Sequence, residues 1–183
     1  MRRVGRHPLH PRERERADGV PARGHARGRQ VLYLVRLHAT AGRLVTADIR
    51  VGSSLPAVAS SLGKMLLAEH TPGELDAVVR ARSFGHAVGP NAVASRQALE
   101  DQLAAVRASG YSIQDEEVAR GIRSVAGPVR GPDGRCIAAT NLAVSAGKYA
   151  VDELVARVAG PLLETCGAIS DRISEGGGRG TGR

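Results

Sequence analysis

Residues 51–68, VGSSLPAVASSLGKMLLA, set hydroxyls, a proline and one ammonium group among leucine, valine and methionine. Ser53, Ser54 and Pro56 read as a loop opening an amphipathic helix, which carries Ser60, Ser61 and a Gly63-Lys64 pair between Leu62, Met65, Leu66 and Leu67. The chemistry such a segment offers is capture of a small anion. A carboxylate needs donors aimed at its oxygens and apolar walls around its carbon skeleton, in a cavity that water leaves on binding. A helix N-terminus after Pro56 supplies unsatisfied N–H groups and the positive end of a dipole. Ser60 and Ser61 add hydroxyls one turn later. Asn141 is a further polar candidate, because an amide in the middle of an apolar strand is costly unless it is bonded.

Catalytic and metal chemistry find no pattern. There is no G-x-S-x-G elbow, and Gly63-Lys64 lacks the upstream glycine of a phosphate loop because the position holds Val58. Three of the six histidines fall in residues 1–30, and none forms a pair at metal-ligand spacing. Cys136 and Cys166 lie 30 positions apart in apolar surroundings and read as buried, reduced thiols. No catalytic residue, metal or cofactor is expected.

A chain of 183 residues with 42% apolar composition can bury one core, so a single domain with tails is the expected organisation. No run approaches the roughly 18 apolar residues of a membrane helix, and no signal segment opens the chain, so a soluble, cytoplasmic protein is expected. With three Tyr, one Phe and no Trp, a stacking surface for single-stranded nucleic acid is nearly excluded. The net charge of +8 is unevenly placed. Residues 1–30 hold nine Arg against Glu13, Glu15 and Asp18, which accounts for +6 and leaves +2 for residues 31–183. That segment has almost no large apolar side chain to repay the entropy of ordering and is expected to be a disordered basic tail. Such tails are weaker evidence for nucleic-acid binding than a basic patch on a folded face. The Gly-rich residues 175–183 are expected to be loose as well, leaving 31–174 as the domain.

Within it, 31–37 and 44–51 read as strands separated by Ala41-Gly42. A helix is expected from Pro56 to about His70, and a short one over 74–80, with 81–94 as loop. Ser95 caps a helix carrying Leu99, Leu103 and Val106, stopped by Gly110. Residues 111–118, 122–130 and 135–145 read as strands, the last two joined by the turn Gly131-Pro132-Asp133-Gly134. A final helix from about Val151 puts Leu154, Val158, Leu162, Cys166, Ile169 and Ile173 on one side, with a kink expected at Pro161. Strands that neighbour strands, without regular βαβ alternation, imply an α+β fold in which helices cover an antiparallel sheet.

Three motifs in this order resemble one family. Residues 51–68 are similar to G-x-x-x-P-x-x-x-x-S-x-G-[KR]-x-x-L-A, which opens the effector-binding domain of IclR-type transcription regulators. Residues 110–128 match its G-[YF]-x-x-x-x-E-E-x-x-x-G-[IL]-x-x-[IV]-A-x-P through Glu116, Glu117, Gly121, Ala126 and Pro128, and residues 134–145 resemble its last sheet strand. The resemblance implies a GAF/profilin-like domain and, with Asn141 and Gly121-Ile122-Arg123-Ser124, the branch that answers to protocatechuate, hydroxybenzoate or β-ketoadipate. It implies effector contacts at Ser61, Leu62, Gln114, Ile122, Ser124, Asn141 and Ala143, to which the helical position of Ser60 adds a further candidate. Glutamine at 114, often acidic in relatives, can donate as well as accept, and Arg36 and Arg43 are possible carboxylate partners. The implied partners are a small organic acid and a second copy or a paralogue. DNA would be read only through a winged helix-turn-helix that is not visible in this chain, which suggests the sensory half of a truncated regulator. The alternative is an interaction module that modulates full-length paralogues.

Each residue also has a plainer role. A serine on a helix often bonds a backbone carbonyl. Leu62 and Ile122 suit a core, Glu116 and Glu117 a solvated edge or an ion pair, and the two arginines a charged surface.

Overall fold

The computed structural model describes residues 30–35, 50–85 and 89–177. Its elements are β1 (Gln30–Leu32), β2 (Ser54–Pro56), α1 (Ser61–Leu67), α2 (Pro72–Val78), a 3-10 turn at Ala81–Ser83, α3 (Arg96–Ser109), β3 (Ser112–Asp115), β4 (Ile122–Arg130), β5 (Cys136–Ser145) and α4 (Val151–Gly177). All strand pairs are antiparallel. β1 pairs with β2, and β3, β4 and β5 form a second sheet in that order. The architecture is the α+β arrangement expected, with helices on both faces of the larger sheet.

Strand alternation sorts the two faces. On β4, Ser124 and Ala126 turn toward α1, and Ala126 joins the core built from Val31, Leu62, Met65, Leu67, Leu75, Leu99, Leu103 and Val106. Val125 and Val129 turn the other way and pack with Leu154, Leu162 and Cys166 of α4. Both cysteines are free thiols, and burial pushes that of Cys136 up to about 11.

Local rules explain the helix ends. Thr71 and Glu74 form a reciprocal capping box around Pro72. Ser95 accepts the Ala98 N–H, and Gly110 takes φ 78 after the last turn of α3, a left-handed conformation that costs glycine nothing.

Five expectations are corrected. The strand at 31 stops at Leu32, and its partner is Ser54–Pro56, read above as loop; Pro56 is tolerated because β2 is an edge strand, paired with β1 alone. Pairing continues irregularly, with Tyr33 N–H on the Ser53 carbonyl at 2.9 Å and Gly52 N–H on the Tyr33 carbonyl at 2.8 Å. Residues 36–49, with the Ala41-Gly42 turn and the candidates Arg36 and Arg43, lie outside the described residues. The helix expected from Pro56 begins at Ser61, because the Ala59 and Ser60 N–H groups first close a turn on the Pro56 carbonyl. The strand expected over 111–118 ends at Asp115, where Glu116 adopts φ 50 and its carboxylate accepts the Gly121 N–H at 2.7 Å. Gln30, assigned above to the tail, belongs to β1, where Ser54 Oγ donates to its Oε1 at 2.6 Å. Finally α4 runs through Pro161 to Gly177, beyond the boundary at 174. Once a helix is nucleated each residue adds a hydrogen bond, which outweighs a glycine penalty of about 1 kcal/mol.

Candidate functional site

α1 lies across the three-stranded sheet with almost its whole surface buried. Gly63 lets α1 pack tightly on the turn that precedes it, since a Cβ there would stand 2.2 Å from the Ala57 carbonyl oxygen and 2.3 Å from its Cα. Ser61 reaches the sheet. Its carbonyl accepts Ser112 Oγ at 2.6 Å and its hydroxyl meets that of Ser124 at 2.7 Å. Register brings the other groups in: Gln114 faces Ser124 across β3 and β4, and Ser124 faces Ala143 across β4 and β5. Ser124 donates to Gln114 Oε1 at 3.2 Å, Gln114 Nε2 donates to the Ile122 carbonyl at 3.2 Å, and Asn141 Nδ2 reaches Ser61 Oγ at 3.5 Å.

Four of the eight candidates thus converge through their side chains, Ser61, Gln114, Ser124 and Asn141, and Ile122 contributes its carbonyl. Ala143 is exposed beside Ser124 on the edge strand. Leu62 is 6% exposed and belongs to the core. Ser60 is spent at the helix start, where its hydroxyl accepts the Gly63 N–H at 3.1 Å. That cap takes up the Gly63 N–H of a helix only seven residues long, so Ser60 serves the helix rather than a ligand. The cluster is closed by its own bonds on the helix side and open toward half-buried Asn141 and exposed Ala143. Two surface grooves, of about 450 Å³ at Val79, Arg80 and Phe84 and about 400 Å³ at Arg130, Leu163 and Cys166, include none of these residues.

Next to the cluster lies a buried ion pair. Lys64, 1% exposed, donates to Glu117 Oε1 at 2.5 Å and to Gln102 Oε1 at 2.9 Å, joining α1 to the β3–β4 connection and to α3. Burial pushes the Lys64 ammonium below its ordinary pKa and the Glu117 carboxyl above its own, each shift restrained by the opposite charge of the partner. Glu117 Oε2 is the one buried side-chain polar atom without a partner among the described residues. Among those residues no group of three His, Cys, Asp or Glu side chains could hold a metal ion, and no helix is long and apolar enough to cross a membrane.

The family model described as bacterial transcriptional regulator IclR, C-terminal, matches residues 24–171. The chain belongs to the IclR family.

The Pca regulon regulatory protein of Pseudomonas putida is 32% identical over 130 residues, which are 71% of this chain and 44% of that protein. The HTH-type transcriptional regulator XynR of Escherichia coli K12 is 36% identical over 116 residues, 63% of this chain and 44% of that protein. The IclR domain described here therefore spans less than half the length of these relatives. Its fold is shared with the inducer-binding domain of an Acinetobacter PobR double mutant, solved with 3-hydroxybenzoic acid: TM-score 0.70 at 24% identity, covering 78% of this chain and 82% of that one.

Sequence reasoning on this IclR domain missed Ser112 and the Lys64–Gln102 contact. For Lys64 a signal was present. It is the one charge in a helix whose other residues, Ser61 apart, are apolar, and such a helix is buried, so its ammonium requires a partner. Glu117 takes the ion-pair role, one of the two considered for it.

Proposed function

We propose that this IclR domain is the ligand-sensing part of a transcription regulator and that its effector is a small aromatic or keto acid. The observation that carries the reading is the convergence of Ser61, Ser124, Gln114 and Asn141 from one helix and three strands into a single hydrogen-bonded cluster. Groups so far apart in sequence, satisfied among themselves yet open on the Asn141 side, suit recognition of a polar ligand on an apolar scaffold. The regulatory name of the Pseudomonas relative favours the regulator reading, and the acid held by the PobR domain favours this ligand class. In this reading effector binding favours one arrangement of subunits by a coupling of about 1 to 3 kcal/mol.

Calorimetry with 3-hydroxybenzoate, 4-hydroxybenzoate, protocatechuate and β-ketoadipate tests it. At least one acid is expected to bind, and Ser61→Leu and Asn141→Leu are each expected to abolish the heat while the circular dichroism spectrum persists. Unchanged affinity in both variants refutes the site.

A further inference from the structure

The protons of the cluster can be placed one after another. A carbonyl only accepts, so the 3.2 Å contact with the Ile122 oxygen fixes the Gln114 amide with Nε2 there and Oε1 toward Ser124. Ser124 spends its one proton on that Oε1. In the 2.7 Å contact between the hydroxyls Ser124 must then accept, which makes Ser61 the donor. Ser61 has no second proton, so toward Asn141 Nδ2 its oxygen can only accept. The chain runs one way, from Asn141 through Ser61, Ser124 and Gln114 to the Ile122 carbonyl.

Exposure agrees with this order. Ser61 and Gln114 are each 1% exposed and Ser124 4%, whereas Asn141 is half-buried and Ala143 exposed. We infer that Gln114 is a positioning residue: acting through Ser124 and Ser61, it commits both serine protons inward and leaves the Asn141 amide as the polar group of the cluster that meets a ligand. That amide still has an N–H and a carbonyl, so it suits a ligand group that both accepts and donates, as a hydroxyl does. The part about the ligand rests on the effector reading above. The direction of the chain does not.

Neutron diffraction from the deuterated full chain tests the direction. Deuterons are expected on Ser124 Oγ toward Gln114 and on Ser61 Oγ toward Ser124; a Ser61 deuteron directed toward Asn141 overturns the inference. Titration with 3-hydroxybenzoate tests the consequence. Asn141→Ala should lower affinity by more than about thirtyfold, and Ser61→Ala, which removes the acceptor that holds the Asn141 amide, should lower it by less, whereas a loss at Ser61→Ala with none at Asn141→Ala would overturn it. Gln114→Met should weaken binding at every pH. Gln114→Glu should bind most like the wild type at low pH, where its carboxyl, pushed up by burial, is protonated and can donate to the Ile122 carbonyl and still accept from Ser124. It should lose affinity by pH 8, and a flat profile contradicts the positioning role. If the wild type does not bind this acid, the effector reading fails for it, and the neutron map still decides the direction.

Discussion

Lys64→Met is expected to destabilise the domain by about 3 to 5 kcal/mol, the usual cost of removing one partner of a buried ion pair. Folding stabilities of about 5 to 15 kcal/mol make this a large share of the total. The cause is not the lost attraction alone. Glu117 would be left with a carboxylate that keeps only the backbone around it, and its Oε2 already has no partner among the described residues. The pH dependence separates this cause from a packing defect. A carboxyl whose folded pKa lies above its unfolded value contributes stability that is full below the unfolded pKa and is lost as pH rises through the folded one. The Glu117 carboxyl is already displaced upward by burial, against the charge of Lys64, and removing that charge displaces it further. The deficit of Lys64→Met relative to wild type should therefore be small near pH 4.5 and large at pH 8. Urea denaturation at both values measures it, and a deficit independent of pH would contradict the account. The double variant Lys64→Met, Glu117→Leu should recover most of the loss, because neither charge is then stranded.

The second large effect is expected at Gly63→Ala. In an exposed helix this exchange is favourable, since glycine costs about 1 kcal/mol relative to alanine. Here the new methyl would meet the oxygen, Cα and carbonyl carbon of Ala57 at 2.2, 2.3 and 2.6 Å. These are backbone atoms at the end of a turn pinned to Pro56, so no side chain can swing aside. α1 must lift from the turn, at the upper end of the roughly 1 to 3 kcal/mol typical of overpacking or beyond it. The lift also separates the Ser61 and Ser124 hydroxyls, so ligand affinity should fall with stability. Gly167→Ala in α4 is the control: it has no atom within 4 Å of its Cβ position and should be stabilised by about 0.5 to 1 kcal/mol. A thermal midpoint for Gly63→Ala at or above that of wild type would show that α1 does not pack as described.

How far the sequence carries can be judged from particular elements. α3 was legible because its rule is local: Ser95 caps it, Leu99, Leu103 and Val106 repeat at helical spacing, and Gly110 ends it. The β4–β5 hairpin was legible for the same reason, with its turn residues between two alternating runs. The start of α1 was not. Whether residues 57–60 are helix or turn depends on Pro56 pairing with Gln30, 26 positions earlier, and no local propensity reports that contact. The stop of β3 depended on the strained backbone of Glu116, a conformation uncommon for a residue with a side chain.

The sequence by itself determined the fold class and the family, because hydrophobic period, turn chemistry and motif spacing are properties of the chain alone. Only the tertiary structure decided which of the polar residues are buried, which are exposed and which bond one another. Ser60 became a cap, Leu62 a core residue, and Ser61 and Ser124 partners of one another. Lys64 and Glu117, 53 positions apart, became a buried pair. The physical reason is that a hydroxyl or an ammonium takes its role from the nearest group able to complete its hydrogen bonds, and that neighbour is chosen by packing and register across the whole domain.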